Sequence, residues 1–199
     1  MKKTIVLIGM ALIIFAGCKK DSDDDSTPGP QAKEGTELLS TVGGSAVYLT
    51  IDEASGSDVR ATISYGGDEI ANIQGSITSS GMSDYVYSNG DKSKPFKLVN
   101  YDDKVGTTWS YNVGTQKVTR SVTYKSSTDD TYVSALGFYI KIMEVTEEIP
   151  SGINVYGEAS GVQQIVWQFN HKFGFVGARV TKNNGSVVNV PLQYTNVQY

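Results

Sequence analysis

The chain has one cysteine, one histidine and five prolines among 199 residues, and each scarcity excludes something. With Cys18 alone, no intrachain disulfide can form, so the core must hold the fold. With His171 alone, a zinc site of two or three imidazoles is excluded, and a Ser-His-Asp triad has one candidate base. No apolar run approaches the ~20 helical residues that cross a bilayer. The longest, residues 5–16, has 12. The 21 glycines form no phosphate-cradling or dinucleotide-binding motif, and no Asp-x-Asp-x-Asp-Gly calcium loop occurs. Neither a metal nor a cofactor is expected. After Gly17 no stretch of ten residues keeps a 3.6-residue apolar period, and no solenoid or propeller repeat is present.

The N-terminus carries an address. Met1-Lys2-Lys3 is a basic flank, the apolar run follows, and small residues close it, the order of a secretory signal. Phe15-Ala16-Gly17-Cys18 then resembles a lipobox, with Phe15 where that motif usually has Leu. By that resemblance residues 1–17 are removed and the Cys18 thiol accepts diacylglycerol, leaving an acylated (palmitate-bearing) N-terminus. Removing Lys2 and Lys3 from 17 basic and 21 acidic residues leaves 15 against 21, a net charge of −6. Such a chain, without a Lys/Arg cluster, repels phosphate backbones, so no nucleic-acid partner is expected and the lipid makes the membrane contact.

Residues 18–36 read as a lipidated Cys18 followed by a disordered acidic tether, charged, Pro/Gly/Ser-rich and too poor in apolar residues to order itself. A coil of that length reaches on the order of 25 Å. Its start, Cys18-Lys19-Lys20-Asp21-Ser22-Asp23-Asp24-Asp25, resembles the acidic export signal of surface lipoproteins in Bacteroidota. The resemblance implies the outer membrane, with the domain facing outward, and assigns the signal to Lys19, Lys20, Asp21, Asp23, Asp24 and Asp25. As plain chemistry the run is also a solvated linker. Asp25-Ser26-Thr27 resembles the short O-glycosylation motif of that group.

Residues 37–199 read as an all-β domain. Val47, Leu49 and Ile51 alternate with polar neighbours, as do Val59, Ala61, Ile63 and Tyr65, then Val118, Val122 and Tyr124. Period-two alternation marks half-buried strands, and Gly66-Gly67, Asn89-Gly90 and Asn184-Gly185 suit hairpin turns. The pattern predicts about ten to twelve antiparallel strands in a β-sandwich or a strongly curved half-barrel. Residues 79–95, rich in Gly, Ser and Asp, could divide a smaller N-terminal sheet from a larger one. Residues 161–195 predict a three-stranded antiparallel meander with turns at 170–172 and 183–185. Val188, Val190, Leu192 and Tyr194 share a face of its last strand, and Pro191 marks that strand as an edge.

Candidate chemistry is sparse. Asn170-His171-Lys172 reads as turn chemistry rather than a catalytic base. Asp102-Asp103, Asp129-Asp130 and Glu147-Glu148 are adjacent pairs, which a strand sends to opposite faces, so none is a dyad by itself. Aromatics are the main resource: 12 tyrosines, six phenylalanines and two tryptophans. Tyr85, Tyr87, Tyr101, Trp109 and Tyr111 lie in or beside the glycine-rich middle, where an exposed row could stack against sugar rings. Trp109 and Trp167, flanked by alternating apolar residues, read as core before platform.

Gly106-Thr107-Thr108-Trp109-Ser110-Tyr111, with His171-Lys172-Phe173-Gly174-Phe175-Val176, resembles small lipoproteins of Bacteroidota built on a curved sheet. The expected function is a membrane-anchored, non-enzymatic protein binding a glycan, ligand or protein partner. The alternatives are a carrier of an apolar ligand in a curved-sheet cavity and a hydrolase using carboxylates from separate strands. A carrier needs an apolar cavity, a glycan binder an exposed aromatic row, and a hydrolase two carboxylates converging in a cleft.

Overall fold

The computed structural model describes residues 32–85, 88, 90–151 and 161–197. The signal segment, Cys18, the acidic run at 19–25 and Tyr87 lie outside the described residues. Within them the chain is all β and antiparallel. Its fifteen strands exceed the expected ten to twelve because short bridging pieces of two or three residues count as strands of their own.

The first sheet is built from β1 (Glu37–Val42), β2 (Ser45–Ser55), β3 (Asp58–Tyr65), β4 (Asp68–Ile77), β5 (Gly81–Asp84), β6 (Phe96–Asn100) and the closing β15 (Tyr194–Thr195), in the order β15-β1-β2-β3-β4-β5-β6. The second contains β7 (Thr108–Val113), β8 (Gln116–Lys125), β11 (Met143–Glu148), β12 (Val162–Asn170), β13 (Gly174–Lys182) and β14 (Val187–Pro191), in the order β14-β13-β12-β11-β8-β7. Between β8 and β11, β9 (Thr131–Val133) and β10 (Phe138–Ile140) form a separate hairpin.

Local chemistry accounts for the meander of the first sheet. Gly66 and Gly67 both take positive φ, 60° and 99°, between the paired residues Tyr65 and Asp68. Two such residues make the hairpin turn whose twist matches the strands. Register shifts beside Ile51, Ile63, Met82 and Glu144 bend the sheets, which is how an antiparallel sheet curls toward a half-barrel.

The two sheets share one core, in which Leu49, Ile51, Ile63 and Ile77 of the first pack with Val118, Val145, Trp167, Phe169 and Phe175 of the second. Both seams between the sheets are closed. On one side Ser40 Oγ donates to the Pro191 carbonyl at 2.7 Å. On the other, the Lys97 carbonyl on edge strand β6 accepts from Arg120 Nη1 at 2.7 Å and Trp109 Nε1 at 2.8 Å. Phe96 and Tyr111 stack across that seam, centroids 4.7 Å apart.

Three expectations need correction. The sheets divide at residues 101–107, not at 79–95, because β5 pairs with both β4 and β6 and keeps that stretch inside the first sheet. Residues 35 and 36, expected in the tether, belong to the folded domain. Gly35, at φ 80°, turns its amide onto the Ile51 carbonyl at 2.8 Å, and Thr36 is buried. Tyr194 leaves the face of Val190 and Leu192: after Pro191 the Gln193 amide bonds to the Leu39 carbonyl at 2.9 Å, and Tyr194 pairs with Leu39 in the other sheet, where it is exposed.

The C-terminal meander forms as expected, with β12, β13 and β14 consecutive and β14 at the edge carrying Pro191.

Candidate functional site

The interior of the second sheet holds charge. Period two places Arg120 between the inward residues Val118 and Val122 on β8, and Glu147 after Val145 on β11. The register sets Arg120 opposite Glu147, and both side chains are 0% exposed. Glu147 accepts from Arg120 Nε at 3.2 Å, from the Tyr111 hydroxyl at 2.6 Å and from Trp167 Nε1 at 2.8 Å. Arg120 Nη2 lies 3.5 Å from Asp84 of the first sheet, and its guanidinium sits 4.9 Å from the Tyr111 ring centre. A buried guanidinium is tolerable where its donors meet carboxylates and carbonyls, as Nε and Nη1 do, while Nη2 lies at ion-pair distance from Asp84 without a hydrogen bond to it. Glu147 is therefore not a solvated loop-end charge. Its neighbour Glu148 points out and accepts from Gln164 at 2.7 Å.

Of the five aromatics expected to form a platform, the four among the described residues do not share a surface. Tyr85 is buried, its hydroxyl donating to Asp58 at 3.2 Å. Burial and the Asp58 charge both raise its phenol above the ordinary value. Tyr111 is buried on Glu147. Tyr101 is half-buried with its hydroxyl 3.4 Å from Met82 Sδ, and burial pushes its phenol up. Trp109 packs half-buried against the core at the β6 seam, with Lys97 Nζ 4.0 Å above its ring. Tyr87 lies outside the described residues. Trp167 is core, 1% exposed.

Next to that seam, a cleft of about 230 Å³ opens at the β5–β6 edge, lined by Ser76, Thr78, Ser80, Ser83, Lys97 and Asn100 among others. Gly81 forms part of its wall, where a Cβ would meet the Val99 carbonyl oxygen at 2.2 Å. Met82 and Val99 mix apolar surface into its lining, and Lys97 is already paired with Asp103 at 2.7 Å.

Among the described residues the two most exposed aromatics are elsewhere, on the β9–β10 hairpin, while Tyr48, Tyr124 and Tyr194 are exposed singly on other strands. Val133 and Ile140 turn inward and are buried, while Tyr132 and Tyr139, directly paired across the two strands, turn outward at 56% and 61% exposure. Their rings meet edge to face, centroids 5.4 Å apart at 61°. Phe138, 46% exposed, reaches the Phe173 ring at 5.5 Å and so ties the hairpin to the second sheet. Sequence reading passed these residues over, although Tyr132 and Tyr139 alternate with apolar neighbours in the way exposed strand positions do.

His171 occupies an exposed turn made by Asn170, whose Oδ1 accepts from the amides of Lys172 at 2.7 Å and Phe173 at 2.9 Å. Burial first, then the charges of Lys141, Lys125 and Lys172, hold the imidazole below its ordinary value. Among the described residues no cluster of His, Cys, Asp and Glu could hold a metal ion.

No protein family and no curated protein matches the chain. Among solved structures it is similar to an inferred exported protein with YmcC-like fold from Bacteroides fragilis NCTC 9343, at 11% identity and a TM-score of 0.48, over 87% of this chain and 100% of that one. It is also similar to an inferred lipoprotein from Parabacteroides distasonis ATCC 8503, at 11% identity and a TM-score of 0.41, over 88% of this chain and 100% of that one.

Proposed function

We propose that this is a lipid-anchored, non-enzymatic module of the outer membrane surface whose β domain binds carbohydrate through Tyr132 and Tyr139. One observation carries the binding site: a short hairpin, anchored by buried Val133 and Ile140, holds two tyrosine rings outward with no packing role that requires it. Exposed apolar surface of that kind marks contact sites, and aromatic faces suit the C–H surfaces of sugar rings. The carrier reading is weaker because the space between the sheets is occupied by Trp167, Phe169, Phe175 and the Arg120–Glu147 pair. The hydrolase reading is weaker because the two carboxylates that converge in the interior, Asp84 and Glu147, are both held by Arg120 away from solvent.

The test is a glycan array probed with the full chain and with Tyr132→Ala/Tyr139→Ala. The expected result is glycan binding that the double substitution abolishes, with stability changed by less than about 1 kcal/mol, as surface positions allow. Glycan binding untouched by the substitutions would remove the site, and no binding to any glycan would remove the reading.

A further inference from the structure

The border of the aromatic face narrows what it can take. Four basic side chains collect at one end of the second sheet. Lys125 ends β8 opposite Met143, the first residue of β11. Lys141 lies two residues before Met143, and His171 and Lys172 occupy the β12–β13 turn. Asn170 binds these segments together, its Nδ2 donating to the Lys141 carbonyl at 2.6 Å while its Oδ1 holds the Lys172 amide at 2.7 Å.

The same end of the sheet adjoins the hairpin. Tyr139 and Lys141 are exposed while Ile140 and Ile142 are buried, so alternation continues past β10 and puts Lys141 on the side of Tyr139. Lys172 Nζ lies 5.2 Å from the Phe173 ring centre, and that ring is 5.5 Å from Phe138. Lys125 is engaged by the carbonyls of Tyr101 and Asp103, at 2.8 and 3.2 Å. The acidic neighbours are Asp129, which acts on His171, and Asp130, which accepts from Tyr124 and Thr131. Lys141 thus stands exposed on the side of Tyr139, and Lys172 stands exposed at the border of the hairpin beside Phe173, in a chain that is otherwise acidic.

We propose that the hairpin face binds a carboxylate-bearing polysaccharide, with Lys141 meeting the carboxylate of a sugar seated on Tyr139 and Lys172 adding positive charge where the chain of sugars passes the Phe138 border. The inference rests on the carbohydrate reading above and adds a charge requirement to it. The general acidity of the chain disfavours nucleic acid, whose dense phosphates meet repulsion beyond the patch.

The experiment measures binding of the full chain, held in detergent, to polygalacturonate and to its fully methyl-esterified form, which share a backbone and differ in charge. The acid form should bind, and the ester roughly tenfold more weakly or not at all. Lys141→Ser/Lys172→Ser should remove that preference, and raising salt from about 0.05 to about 0.5 M should weaken only the acid form. Tyr132→Ala/Tyr139→Ala should abolish binding to both. Equal binding of acid and ester, lost only in the tyrosine variant, overturns the charge requirement and leaves the carbohydrate reading standing. Binding to neutral array glycans with neither polymer bound does the same. A DNA duplex bound as tightly as polygalacturonate, with the same dependence on Lys141 and Lys172, makes the patch a general polyanion contact and overturns the assignment.

Discussion

Arg120 and Glu147 face each other across β8 and β11 with Nε 3.2 Å from Oε2, and neither shows any side-chain surface to solvent. Taking two charges out of water costs several kcal/mol each, so such a pair persists only where further hydrogen bonds complete it. Here they come from both sheets. Tyr111 and Trp167 of the second sheet donate to Glu147, and Arg120 reaches the Lys97 carbonyl and Asp84 of the first. Apolar faces can slide past one another at small cost, whereas this cluster has one arrangement that satisfies it. It therefore fixes how the sheets sit together.

Arg120→Met or Glu147→Leu alone leaves a buried opposite charge without its main partner, and each should cost about 3–5 kcal/mol. Arg120→Met should be the costlier, since Asp84 and the Lys97 carbonyl lose their partner as well. Made together, the two should cost less than their sum by more than about 1 kcal/mol. Urea denaturation of the four proteins measures this. Additive single costs, or singles below about 1 kcal/mol, would remove the pair as an organising element.

Trp167 offers a cleaner separation of packing from polarity. Trp167→Ala should cost about 3–5 kcal/mol, a large share of the ~5–15 typical of a domain. Trp167→Phe keeps an aromatic ring toward Phe175 but removes the indole donor to Glu147 together with part of the ring volume. It should cost about 1–3 kcal/mol, the range for a buried acceptor that loses one donor. A Trp167→Ala protein within about 1 kcal/mol of the parent would show that the indole is not core.

How much of this was legible depends on which signal a residue carried. The alternation of Val47, Leu49 and Ile51, and the glycine pair at 66–67, are local and survive into the structure as β2 and the β3–β4 turn. The meander of β12, β13 and β14 was legible for the same reason. The alternation puts Glu147 in phase with Val145, but a charge on that face is legible as interior only once Arg120, Tyr111 and Trp167, distant in sequence, supply its partners. Glycine-rich surroundings suggest exposure for Tyr85 and Tyr111, whereas Asp58 and Glu147, distant in sequence, give their hydroxyls partners that let the rings be buried. The outward alternation of Tyr132 and Tyr139 is local, but that their rings meet as a pair follows from β9 and β10 pairing with each other apart from both sheets, which the sequence does not announce.

The last prediction concerns alkaline pH. Tyr101 follows β6, with its hydroxyl on Met82 Sδ, and burial raises its phenol well above the ordinary value of 10.0. Tyr85 is raised as well, by burial and by Asp58. Below about pH 10 both phenols are protonated in the folded and unfolded chains alike, so stability does not depend on them. As pH climbs past that point the unfolded chain releases its phenol protons first, and the folded state loses up to about 1.4 kcal/mol per pH unit for each such group. The urea midpoint should therefore stay level from about pH 7 to about pH 9 and fall steeply above pH 10. Tyr101→Phe should flatten that fall while leaving the contributions of Tyr85 and the lysines in place. Superimposable pH profiles for the parent and Tyr101→Phe would show that this phenol ionises as easily in the folded protein as in water.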